Sequence, residues 1–176
     1  MKTPYKLSEN TFNNLEIDAV KKLLDSNKKL TYGKYVKQLE RKVASINNRK
    51  YCVMVNSGSS ANLIGVSAVI HSSKFGLNKG DEIIVPSLSW GTTFSPLIQH
   101  DLKLVFVDIN IRTFNLDESK IEKAISRKTK GIFLANILGQ SCNFENILKI
   151  CNKHNLILMV DNCESFLSTH KGKISA

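Results

Sequence analysis

Two stretches near the start of the chain carry apolar residues at helical spacing. Phe12, Leu15, Ala19 and Leu23 recur along Thr11 to Ser26, and Val36, Leu39, Val43 and Ile46 along Lys34 to Ile46, with Thr31-Tyr32-Gly33 between them. After Lys50 the pattern changes to short β-branched runs alternating with amphipathic segments. The runs predict strands at Tyr51 to Val55, Glu82 to Val85, Lys103 to Val107, Gly131 to Asn136 and Leu156 to Val160. Between them the spacing predicts helices at Ser59 to Ser72, Thr92 to His100, Asp117 to Ser126 and Asn143 to His154, with Asp117 and Asn143 as caps. Nearly continuous apolar strands separated by helices read as an α/β fold, a mostly parallel sheet covered on both faces. The last stretch, Ser165 to Ala176, predicts a hairpin at Lys171-Gly172-Lys173 and then stops at Ile174-Ser175-Ala176, so the chain reads as a piece of a longer product.

Composition narrows the classes. Of 176 residues, 42% are hydrophobic and 23% charged, with 9 Gly and 3 Pro, which excludes disordered, collagenous and disulfide-knotted proteins. No apolar run reaches the ~18 to 20 residues of a membrane span, and Met1 to Asn10 has no signal-peptide core, so a cytoplasmic protein is expected. The net charge is +10, and Met1 to Lys50 holds 12 basic against 5 acidic residues. That excess raises nucleic-acid binding as a possibility. Against it, the lysines are spread over polar helix faces without an arginine cluster or interleaved aromatics. Cys52, Cys142, Cys151 and Cys163 form no CxxC pair, so reduced thiols are expected. Cys151 and His154 could offer metal ligands at i and i+3, but cysteine in an apolar pattern reads first as a core residue, and no metal is expected.

The candidate chemistry lies just after the strands, where an open α/β sheet gathers ligands. After Tyr51 to Val55 comes Asn56-Ser57-Gly58-Ser59-Ser60-Ala61-Asn62, small residues leading into a helix. Backbone N–H groups of Gly58, Ser59 and Ser60 could cradle a phosphate there, or Ser57 or Ser59 could simply cap the helix. Neither a P-loop nor a GxGxxG fingerprint is present. Trp90, the one tryptophan, follows the next strand and could pack in the core or stack on a planar ring. Asp161 directly follows a buried strand, where a carboxylate needs a partner; a protonated pyridine nitrogen would serve, and an N-cap role is the alternative.

A phosphate cradle, a stacking plane and a carboxylate for a ring nitrogen are the anchors of pyridoxal 5'-phosphate. The segments Val55-Asn56-Ser57-Gly58-Ser59-Ser60-Ala61-Asn62-Leu63, Pro86-Ser87-Leu88-Ser89-Trp90, Val107-Asp108 and Val160-Asp161-Asn162-Cys163-Glu164-Ser165 resemble, in order and spacing, the DegT/DnrJ/StrS sugar aminotransferases. The resemblance implies a three-layer α/β/α domain of vitamin B6 fold type I. Residues 1–50 would be an N-terminal helical segment and residues 51–176 the first part of the cofactor-binding domain. It implies pyridoxal or pyridoxamine 5'-phosphate as cofactor, a nucleotide-linked keto-deoxysugar and an amino donor such as glutamate as substrates, a homodimer, and a role in surface polysaccharide or lipopolysaccharide biosynthesis. By position, Gly58, Ser59 and Ser60 would hold the phosphate, Trp90 would stack on the ring and Asp161 would pair with its nitrogen. Glu164 stands where the family usually has Gln or His, against the cofactor's 3'-hydroxyl.

The family's Schiff-base lysine lies beyond Ala176, and Lys171 and Lys173 are too near Asp161 to replace it, so this chain alone is expected to be inactive. The same segments also resemble the pyridoxamine-dependent 3-dehydrases of dideoxysugar pathways, which carry histidine in place of that lysine. Transamination is the first expectation because it is the family's commoner activity. Dehydration is the second, and a non-enzymatic nucleic-acid-binding module the third.

Overall fold

The computed structural model describes residues 9–174; Met1 to Ser8 and the terminal Ser175 and Ala176 lie outside the described residues. The chain divides into two compact units, Met1–Met54 and Val55–Ala176. The first holds helices α1 (Asn14–Asp25) and α2 (Lys34–Ile46). Helix α1 begins later than its apolar spacing suggested because Asn13 caps it. The Asn13 side chain accepts from the Leu15 amide, and Glu16 reaches back to the Asn13 amide, a capping box. No residue of α1 is buried: Leu15 is exposed and Leu23 is half-buried, and Phe12, just before the helix, is exposed.

The second unit carries the sheet. In chain order it contains α3 (Gly58–Ile70), β1 (Glu82–Pro86), α4 (Gly91–Gln99), β2 (Lys103–Val107), α5 (Glu118–Ala124), β3 (Thr129–Ala135), α6 (Phe144–His154) and β4 (Ile157–Asp161). The four strands are all parallel, in the order β2-β1-β3-β4. Alternation along each strand sends side chains to opposite faces. Ile83, Val85 and Phe133 join Val66, Leu97 and Leu102 on one face, while Ile84, Ile132 and Leu134 join Ile121, Ile147 and Cys151 on the other. The sheet is therefore covered on both sides, as its apolar runs required. A two-residue turn with Lys171 at φ 51° and Gly172 at φ 76° closes the expected hairpin between β5 (Thr169–His170) and β6 (Lys173–Ile174).

One expected strand is absent. Tyr51 to Val55 forms no ladder with any described strand, and Tyr51 and Val53 are exposed. A β-branched run becomes a strand only when a neighbour pairs its backbone groups, and no described strand lies beside this one.

The cysteines split by burial. Burial pushes the Cys142 thiol up to about 12, with Glu118 adding to the effect, and the Cys151 thiol up to about 11. Cys163 is exposed and Cys52 half-buried. His154 turns to Glu122 at 3.1 Å instead of towards Cys151. Iodoacetamide is expected to label Cys163 first in the native protein and to reach Cys142 and Cys151 only after denaturation. Native labelling of Cys142 at the rate of Cys163 would contradict this core.

Gly131 provides a second check, since a Cβ there would meet the Ile157 carbonyl oxygen at 2.9 Å and Ile83 Cδ1 at 3.3 Å. Backbone cannot yield as a flexible side chain does, so Gly131→Val is expected to lower unfolding stability by about 1–3 kcal/mol. An unchanged urea midpoint would contradict the registered β1-β3-β4 packing.

Candidate functional site

Parallel strands deliver their carboxyl ends to one edge of the sheet, and the loops after β1, β3 and β4 meet there with the start of α3. They enclose a cleft of about 240 Å³ whose walls include Gly58, Ser59, Trp90, Thr93, Asp161 and Glu164. Five of the six residues singled out from the sequence thus face one space. The sixth, Ser60, does not line it.

The Ser60 amide is taken by the helix cap. Ser57 stands before α3 in extended conformation, its hydroxyl accepts from the Ser60 amide at 3.1 Å, and it donates to the Ser60 hydroxyl at 3.2 Å. The first amides of a helix have no partner within it, so the cap leaves the amides of Gly58 and Ser59 to point outward at the cleft, where the helix dipole favours an anion. Ser57 carries the cap, and it does not take up the amides of Gly58 and Ser59. A Cβ on Gly58 would lie 2.9 Å from Cys163 Sγ, so a side chain there would have to displace the exposed cysteine.

Trp90 is not a core residue; it is 71% exposed at the N-cap of α4, on the wall of the cleft. So large an aromatic surface left in water is available to a flat ligand. Asp161, the last residue of β4, is held from three directions. Asn62 Nδ2 donates to Oδ2 at 2.8 Å, Thr93 Oγ1 donates to the same oxygen at 2.9 Å, and the Cys163 amide donates to Oδ1 at 3.1 Å. Two donors fill both lone pairs of Oδ2, so the remaining acceptor capacity is on Oδ1. No helix follows Asp161, and the N-cap alternative does not apply.

Glu164 accepts from the amide of Leu138 at 3.0 Å. Leu138 and Gly139 form a tight turn with φ 51° and 80°, closed by the Gln140 amide on the Ile137 carbonyl at 2.8 Å. Ser165 ties the same turn down, accepting from the Gly139 amide at 2.9 Å and donating to the Asn136 carbonyl at 2.9 Å. Asn136, buried, donates to Asn162 Oδ1 and accepts from the Cys142 amide, both at 2.9 Å. The loops after β3 and β4 are therefore one hydrogen-bonded body. Asp108, after β2, is taken up elsewhere: Lys120 at 3.0 Å and the Ile109 amide hold its carboxyl below the usual range.

Asn62, Thr93 and Asn136 were not singled out from the sequence. Asn62 lies four residues after Gly58 and Thr93 three after Trp90, spacings that share a helix face with a residue already marked. That periodicity was the available signal. Among the described residues no cluster of three or more His, Cys, Asp or Glu is arranged to hold a metal ion, and no helix is long and apolar enough to cross a membrane.

The chain is similar to known proteins over most of its length. The chain is 46% identical over 169 residues to GDP-4-keto-6-deoxy-D-mannose 3-dehydratase of Escherichia coli O55:H7, covering 96% of this chain and 43% of that protein. It is 31% identical over 160 residues to GDP-perosamine synthase of Caulobacter vibrioides, covering 91% of this chain and 42% of that protein. A crystal structure of GDP-4-keto-6-deoxymannose-3-dehydratase with a trapped PLP-glutamate geminal diamine superimposes with a TM-score of 0.90 at 45% identity, over 96% of this chain and 44% of that one. The chain thus spans less than half the length of these relatives. The fold is that of the vitamin B6 enzymes of fold type I, and the model of the DegT/DnrJ/EryC1/StrS aminotransferase family matches residues 10–176: the chain belongs to that family.

Proposed function

We propose that residues 55–174 form part of a site for pyridoxamine or pyridoxal 5'-phosphate, in an enzyme that removes the 3-hydroxyl of a nucleotide-linked 4-keto-6-deoxysugar. The observation that carries the choice of reaction is the difference in identity. The chain is 46% identical to a GDP-4-keto-6-deoxy-D-mannose 3-dehydratase and 31% identical to a GDP-perosamine synthase. Transamination of a similar sugar is the second reading, supported by the family match itself.

The residues fit the cofactor. Its phosphate needs N–H donors at a helix start, and the amides of Gly58 and Ser59 are there. Its ring needs a flat wall, which Trp90 supplies, and its nitrogen needs an acceptor, which Asp161 Oδ1 supplies. When bound, the group supplies an electron sink for bond cleavage beside the amine-bearing carbon. The chain's own residues do the rest. Gly58 and Ser59 hold the anion, Trp90 excludes water from one face, and Asp161 retains a proton at the ring nitrogen. Glu164, turned to the Leu138 amide, keeps the loop after β3 at the rim of the cleft.

Binding can be read without turnover. Saturating pyridoxamine 5'-phosphate is expected to slow alkylation of Cys163, which lines the cleft, while Cys52 reacts at its own unchanged rate. Equal rates at Cys163 with and without the ligand would count against the site.

Whether these residues can serve such a reaction can be read in a chimera in which residues 10–176 replace the matched segment of the Escherichia coli dehydratase. With GDP-4-keto-6-deoxymannose and glutamate, the expected product keeps its ketone and lacks one oxygen. A folded chimera that yields no such product would count against the dehydration reading. Asp161→Asn in that chimera is expected to reduce turnover roughly a hundredfold, while weakening cofactor retention by about tenfold or less. Parent-like turnover would remove the role given to Asp161.

A further inference from the structure

Asp161 lies at the end of a strand, yet both partners of its Oδ2 come from helices on one face of the sheet. One of them, Thr93, is 0% exposed and sits in the first turn of α4. Its backbone amide donates to the Trp90 carbonyl at 2.9 Å, and its hydroxyl donates to Asp161 Oδ2 at 2.9 Å. The Ser89 hydroxyl in turn donates to Thr93 Oγ1 at 3.0 Å. The direction of these bonds is consistent: Ser89 gives to Thr93, which gives to Asp161, so the threonine proton is committed to the carboxylate. Asn62 bridges from the other side, donating to Oδ2 and to the Thr92 carbonyl at 3.3 Å.

From this geometry we infer that Thr93 is a positioning residue. It joins the residue that would stack on the cofactor ring to the residue that would pair with the ring nitrogen, and it fixes Asp161 so that Oδ1 alone receives the ring N–H. The inference rests on the cofactor reading above. A buried hydroxyl with no hydrogen-bonding role would be costly at this position, and valine would fill the same volume. Without the threonine donor, one lone pair of Oδ2 is left open. The carboxylate can then rotate or share the ring proton through the wrong oxygen, and Trp90 loses its link to the plane in which that proton lies.

The test uses this chain with pyridoxamine 5'-phosphate labelled with nitrogen-15 in the ring, a ligand that needs no covalent attachment. The nitrogen shift reports the protonated fraction of the bound ring, and titration reports affinity. The parent is expected to hold the ring as pyridinium. Thr93→Val is expected to move the signal towards the neutral ring and to weaken binding about tenfold, while Thr93→Ser, which keeps the hydroxyl, restores both. Circular dichroism monitors the fold. If Thr93→Val loses its helical signal, Asn62→Ala, on the half-buried face of α3, provides the same reading, because it removes the other donor to Oδ2 and should move the signal in the same direction.

A parent that binds no pyridoxamine 5'-phosphate overturns the cofactor reading and this inference with it. A parent that binds it as pyridinium, with folded Thr93→Val and Asn62→Ala variants matching it in shift and affinity, overturns the positioning role alone. Loss of the pyridinium signal in Thr93→Ser as well would show that packing, not the hydroxyl, is what matters, and would also overturn it.

Discussion

The site depends on one oxygen atom. Asp161 Oδ2 receives Asn62 from α3 and Thr93 from α4, residues 99 and 68 positions away in the chain, at 2.8 and 2.9 Å. A carboxylate at the end of a strand in a covered sheet is tolerable only when such donors satisfy it. By satisfying it they also bring the starts of two helices to the same edge of the sheet. The cleft is the space left between those helix starts and the strand end. Its wall of helix-start residues at Gly58 and Ser59 and its aromatic wall at Trp90 are consequences of that meeting.

The parallel sheet makes the meeting possible. With β1 parallel to β3 and β3 parallel to β4, Pro86, Ala135 and Asp161 reach the same edge of the sheet. The Asn136 amide donates to the Asp161 carbonyl at 3.0 Å and extends the β3-β4 ladder into the loops. Asn136, Asn162, Glu164 and Ser165 then tie the two loops together. Surface loops are usually mobile; these two are tied by Glu164 and Ser165 to the backbone of the loop after β3 and by the side-chain bond between Asn136 and Asn162.

Much of this was legible from single residues in order. Period-2 and period-3.6 patterns placed the four strands of the parallel sheet and the six helices among the described residues, because burial on one face or two leaves a local mark. Tyr51 to Val55 shows the limit of that mark, since a strand is a property of a pair and its composition cannot supply the partner. At the site, Gly58, Ser59, Trp90 and Asp161 could be marked because each stands at the start of a helix or the end of a strand, whereas Glu164 was marked through the family resemblance alone. Ser60 was grouped with them by type, whereas its amide and hydroxyl are both engaged by Ser57. Asn62 and Thr93 act across long chain separations and leave no local trace beyond a shared helix face. Their role exists only once α3 and α4 lie against β4.

The central claim is that one carboxylate, held by two helices, organises a cleft for a phosphorylated pyridine. A crystal structure of the chain with pyridoxamine 5'-phosphate tests it most directly. The account predicts the ring nitrogen on Asp161 Oδ1, Asn62 and Thr93 still on Oδ2, the phosphate on the amides of Gly58 and Ser59, and Trp90 against the ring face. A ligand whose phosphate lies away from the start of α3, or whose ring nitrogen makes no contact with Asp161, would contradict it.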